Sequence, residues 1–156
     1  MNKTIKIIIW LIVALIILLF AYQLFSRPVE DNSIQIGFIG PLSGEMSDRG
    51  ESAKKVINLA FEEINNAGGI DGKKIEVIYE DGGCNGKDAV KAMKRLIKNE
   101  KIKVVIGGLC SSESLAIVSV AEENKILLLS PGSSSSDLTN SSEYFIRTYP
   151  SDSIQG

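Results

Sequence analysis

Val104-Val105-Ile106-Gly107-Gly108-Leu109-Cys110-Ser111-Ser112-Glu113-Ser114 reads as a short buried strand, a tight glycine turn and the start of a helix. The strand is apolar and rich in β-branched residues, with no alternation, which predicts that both its faces are covered. A helix N-terminus offers unpaired backbone N–H groups and partial positive charge, and hydroxyls at the cap add donors. Ser111 and Ser112 are therefore candidate contacts for a ligand carboxylate. Ile126-Leu127-Leu128-Leu129-Ser130-Pro131-Gly132-Ser133-Ser134-Ser135-Ser136 has the same form. With the two strands side by side, both serine clusters fall at the carboxyl edge of one sheet, where open α/β sheets bind ligands. Gly132, Ser133 and Ser134 join the candidate site on this ground.

The same strand-then-helix unit recurs upstream. Strands are expected over 34–39 and 75–80, and a fifth over 144–148. The run 48–67 is an amphipathic helix, with Ala53, Val56, Ile57, Ala60, Phe61 and Ile64 on one face. Asp48 and Glu51 are placed to form a capping box, and Asn65-Asn66-Ala67-Gly68-Gly69 is a stop signal. Asn85 is expected to cap a helix over 87–99 whose inner face is Ala89, Val90, Met93, Leu96 and Ile97. Its lysines at 87, 91, 94 and 98 form the wet face. A third helix runs to Asn124, with Leu115, Ile117, Val118 and Ala121 on its apolar side. The order βαβαβαβ plus one strand predicts an α/β fold with a doubly wound, mostly parallel sheet.

Composition narrows the chemistry. The chain has 156 residues, 44% of them hydrophobic and 23% charged, and no histidine, which removes histidine-based acid–base catalysis and histidine metal sites. Glu80 and Asp81 have no acidic partner at metal-binding spacing and read as solvated or capping carboxylates. Gly37, Gly40 and Gly44 do not match a dinucleotide fingerprint. No nucleophile–base pair is evident, so no catalytic residue, metal or cofactor is assigned. The basic residues form no stripe with aromatics, which argues against nucleic acid as a partner.

Residues 1–30 form a separate segment. Apolar residues run unbroken over 7–22, with Lys3 and Lys6 before them and Glu30 and Asp31 after. That length suits a transmembrane helix with its N-terminus in the cytoplasm and 31–156 outside. A cleaved signal peptide is the alternative, and either exports the domain. Cys84 and Cys110 both lie in loops expected at the same sheet edge. An even pair in an exported domain favours a disulfide, and a reactive thiol is the other reading.

Five blocks bring a family into view: Gly37-Phe38-Ile39-Gly40-Pro41-Leu42-Ser43-Gly44, Ile64-Asn65-Asn66-Ala67-Gly68-Gly69-Ile70-Asp71-Gly72, Glu80-Asp81-Gly82-Gly83-Cys84, Gly107-Gly108-Leu109-Cys110-Ser111-Ser112 and Ser130-Pro131-Gly132-Ser133-Ser134. In this order they resemble the first lobe of the type I periplasmic binding proteins, the branched-chain amino-acid group in particular. The resemblance implies an extracytoplasmic substrate-binding component that hands an amino acid or amide to an ABC-transporter permease. A ligand-sensing receptor domain is the alternative role. It implies that Cys84 and Cys110 are joined, that Ser111, Ser133 and Ser134 hold the ligand carboxylate, and that backbone atoms of the 132–134 loop help hold its ammonium group. It also implies a pocket wall at position 49, often aromatic in the family. Arg49 stands there instead, which points to a more acidic ligand. Family members continue into a second lobe, so 31–156 is expected to be lobe 1, truncated at its C-terminal end.

Overall fold

The computed structural model describes residues 9–10, 12–13, 15–20 and 33–154. The chain divides into two units, Met1–Asp31 and Asn32–Gly156. In the first, the described residues are helical, and Trp10, Leu18 and Phe20 are exposed. Among the described residues no helix is long and apolar enough to cross a membrane. The rest of the span expected over 1–30 lies outside them.

The second unit alternates strand and helix: β1 (Ile34–Gly40), α1 (Ser47–Asn66), β2 (Ile75–Asp81), α2 (Gly86–Ile97), β3 (Val104–Ile106), α3 (Ser111–Glu123), β4 (Leu127–Ser130) and β5 (Phe145–Arg147). The strands form one sheet in the order β2-β1-β3-β4-β5. Every pairing is parallel, with Ile34 opposite Ile75, Gly37 opposite Val105, Val104 opposite Leu127 and Leu128 opposite Phe145. The chain moves to one side of β1 for β2 and to the other for β3. The strand order therefore reverses between β1 and β3, and a crevice opens there at the strands' carboxyl ends.

Helices α2 and α3 pack against each other and cover one face. Ala89, Ala92, Met93 and Leu96 from α2 meet Ile117, Val118 and Ala121 from α3 over Ile39, Val105 and Leu128 of the sheet. The period of α2 is realised as expected, and Asn85 caps it by accepting from the N–H of Asp88 at 3.0 Å. Leu115, expected on the apolar side of α3, is exposed instead.

Helix α1 departs further from expectation. Met46, with no side-chain cap, precedes it, and Asp48 lies inside its first turn, so the expected capping box does not form. Asn58 accepts a hydrogen bond from Tyr79, which points to the face opposite Ile78 and the main core. On that face α1 lies over β2, and among the described residues of the second unit no other helix packs beside it. Val56, from its expected inner face, is 67% exposed, as is Leu59 at 60%. Besides the Asn58–Tyr79 bond, α1 is fixed at its ends. Gly50 is buried where any Cβ would run into the carbonyl of Pro41. The Asn65 amide donates to the Ile75 carbonyl at 2.9 Å and accepts from the Ile75 N–H at 2.7 Å.

Candidate functional site

The loops after β1, β3 and β4 converge at the crevice. Three strands ending in parallel force this, because their carboxyl ends lie in one row. A cleft of about 300 Å³ opens there, lined by Arg49, Leu109, Pro131, Gly132, Ser134 and Tyr149. Arg49 comes from the start of α1 and Leu109 from the turn after β3. Pro131, Gly132 and Ser134 come from the loop after β4, and Tyr149 from beyond β5. Arg49 is exposed and makes no side-chain hydrogen bond or ion pair among the described residues. It gives an otherwise neutral lining one positive charge.

The serines divide into two groups with different work. Ser111 is half-buried, and its hydroxyl oxygen accepts from the N–H groups of Ser134 and Ser135, both at 3.1 Å. Its proton remains available for donation to a ligand. The two serine clusters expected at one sheet edge are therefore in direct contact. Ser133 is fully buried, and its hydroxyl donates to the Gly108 carbonyl at 3.1 Å, 2.8 Å from that of Ser114. Ser130 and Ser114 donate to the same carbonyl at 2.7 and 3.2 Å. Ser133 thus belongs to a buried knot tying β3, α3 and β4, and its side chain is away from the cleft. The hydroxyl of Ser112 is likewise occupied, donating to the Cys84 carbonyl at 2.8 Å. Six candidate residues were legible in the sequence; the structure brings Arg49, Gly132 and Ser134 into the cleft lining, with Ser111 bracing the loop behind it.

Cys84 and Cys110 are joined by a disulfide, with their Cα atoms 5.4 Å apart. It links the loop after β2 to the residue preceding Ser111. Asp81 secures the neighbouring loop: it accepts from the N–H of Leu42 at 2.8 Å, the N–H of Gly83 at 2.9 Å and the hydroxyl of Ser43. Burial by itself would raise its carboxyl, but these hydrogen bonds together hold it below its ordinary value of 3.8. Arg147 donates to the Ser135 carbonyl and to Thr139 Oγ1, both at 2.7 Å, and pins the loop after β4 from its far side.

Two residues were missed in the sequence reading. Tyr149 lines the cleft from just past the strand expected over 144–148, where no role was assigned. Glu113 is a buried carboxylate at the third position of α3. Its signal was present: an acid three residues after the cap position is half of a capping box. Among the described residues no group of histidine, cysteine or carboxylate side chains could hold a metal ion.

The sequence profile of the periplasmic binding proteins matches residues 33–156. The Leu/Ile/Val-binding protein of Escherichia coli is 32% identical over 133 residues, covering 85% of this chain and 36% of that one. The branched-chain amino acid transporter substrate binding protein of Streptococcus pneumoniae, solved with isoleucine, superposes with a TM-score of 0.73 at 34% identity, covering 78% of this chain and 35% of that one. A solute binding protein of an ABC transporter from Rhodopseudomonas palustris, solved with 3,4-dihydroxy benzoic acid, gives 0.70 at 27% identity over 78% of this chain and 33% of that one. The chain spans about a third of the length of the relatives it matches. A parallel sheet with its loops gathered at one edge, a profile match across the whole second unit and identity above 30% lead to one assignment: the chain belongs to the periplasmic binding protein family, whose members bind solutes and are not enzymes.

Proposed function

We propose that residues 31–156 form the ligand-binding lobe of an extracytoplasmic substrate-binding component of an ABC transporter for small amino acids or amides. Residues 1–30 anchor it to the membrane, and a permease is its partner. The ligand carboxylate sits against the Ser111 hydroxyl and the Gly132–Ser134 loop. The observation that carries this reading is the union of the two serine loops, Ser111 Oγ accepting from Ser134 and Ser135 beside an open cleft. The relatives support the ligand class by their names: one binds leucine, isoleucine and valine, and another was solved with isoleucine. Arg49 favours a ligand with negative charge beyond the α-carboxylate, since its guanidinium meets no counter-charge among the described residues. Residues 31–156 taken by themselves leave much of a ligand in contact with water, so millimolar affinity is the expectation for that stretch.

Amide NMR titration of residues 31–156 with L-leucine and with L-glutamate tests this. Shifts at Ser111, Gly132 and Ser134 with either amino acid are expected, with tighter saturation by glutamate. Titrations that move no amide around the cleft would remove the assignment.

A further inference from the structure

Glu113 has no place in the ligand chemistry above, yet it is the only carboxylate buried to 0% exposure among the described residues. One oxygen accepts from the N–H of Cys84 at 3.0 Å, and the other accepts from the N–H of Cys110 at 3.0 Å. A single side chain thus holds the backbones of both cysteines of the disulfide. The surroundings are shaped to admit it: a Cβ at Gly82 or Gly108 would collide with the Glu113 side chain. Burial pushes its carboxyl above the ordinary value of 4.5, against the N–H groups of Cys110, Cys84 and Leu109 that pull it down, and Asp81 nearby adds to the rise. Ser112 adds a third tie to the same pair of loops through the Cys84 carbonyl.

We propose that Glu113 is a positioning residue that ties the Cys84 and Cys110 backbones together in parallel with the disulfide, so that the Ser111 loop keeps its place whether that bond is closed or open. Two ties across one gap are partly redundant. When the disulfide is reduced, the loops gain little freedom while the carboxylate still holds both N–H groups. Without the carboxylate, the same reduction releases the loops, and the dithiol form gains conformational entropy. Glutamine is the discriminating substitution: its single carbonyl oxygen can accept from one cysteine, while its NH₂ faces the other N–H donor to donor.

The reaction to follow is the exchange of the Cys84–Cys110 disulfide with two glutathione thiols, which yields two cysteine thiols and one glutathione disulfide. The full chain, wild type and Glu113→Gln, is equilibrated in glutathione buffers and trapped by thiol alkylation. The equilibrium is expected to move toward the dithiol by about tenfold in the variant, the size of one hydrogen bond to a charged group, or about 30 mV for a two-electron couple. General destabilisation that affects the two redox forms equally would leave this ratio unmoved, and an unmoved ratio overturns the proposal. The second measurement needs no variant. Hydrogen exchange on the reduced wild type should retain protection at the Ser134 and Ser135 amides, the donors to Ser111 Oγ. Loss of that protection on reduction alone would also overturn the proposal, even if Glu113→Gln fails to fold.

Discussion

A serine is a versatile residue, and its neighbours decide which of its uses is realised. Ser111, Ser112, Ser133 and Ser134 look alike in sequence, all small and hydroxylated beside a glycine turn. In the fold, Ser133 sits in a buried knot under the Gly108 carbonyl, Ser112 holds the Cys84 loop, Ser134 lines the cleft, and Ser111 braces the loop that carries Ser134. Their substitutions should separate accordingly. Ser133→Ala is expected to lower stability by about 1 kcal/mol, because the Ser114 hydroxyl and the Gly108 carbonyl lose a buried partner. Chemical denaturation measures this, and the amide shifts induced by L-glutamate around the cleft should be unaltered. Equal stability of variant and parent would take Ser133 out of the knot.

Among the elements, α2 and α3 behave as amphipathic helices should. Each has a partner helix, and together they seal one face of the sheet. Helix α1 has the same kind of sequence period but no packed helix partner among the described residues of the second unit, and its apolar residues stay largely open. The turns at the carboxyl edge rely on polar ties instead. Asp81 joins the loop after β1 to the loop after β2, and its carboxyl is held low. A group whose folded pKa lies below its unfolded value adds stability in full above the unfolded value, and loses it as pH falls through the folded value. The protein should therefore lose stability on acidification below about pH 4, and Asp81→Asn should flatten that dependence. Glu113 acts with the opposite sign: its raised pKa contributes in full below 4.5 and fades as pH rises through the folded value. Thermal melts of the Asp81→Asn chain across acid pH test the first trend. Parallel curves for variant and wild type would mean that Asp81 does not carry it.

At the scale of the whole molecule, the organising fact is the parallel sheet with its strand order reversed between β1 and β3. That reversal draws residues 49, 109, 132, 134 and 149 to one cleft, although they are spread over 100 positions of sequence. The first unit is read from sequence alone as an anchor, with apolar residues over 7–22 behind Lys3 and Lys6. Expressed whole, the chain should remain with the membrane after alkaline carbonate washing, and deletion of 1–30 should leave residues 31–156 soluble. Release of the intact chain by carbonate would exclude a spanning anchor.

By itself, the sequence determined the order of elements, the parallel sheet and the edge on which a site would form. These follow from period and turn chemistry, which are local: short strand-like runs such as those over 104–106 and 126–129, glycine and asparagine stops, and helix starts rich in small polar residues. It also supplied the two cysteines, but their pairing came from the family resemblance, because spacing alone left a free thiol open. Only the tertiary structure decided which serine lines the cleft, that Val56 and Leu59 of α1 would stay exposed, and that Glu113 would reach both cysteines. The decisive contacts are distant in the chain: Ser134 meets Ser111 across 23 residues, and Cys84 meets Glu113 across 29. A hydroxyl or a carboxylate has the same local propensity in either role, and only the packing of other elements around it determines whether it meets backbone or solvent.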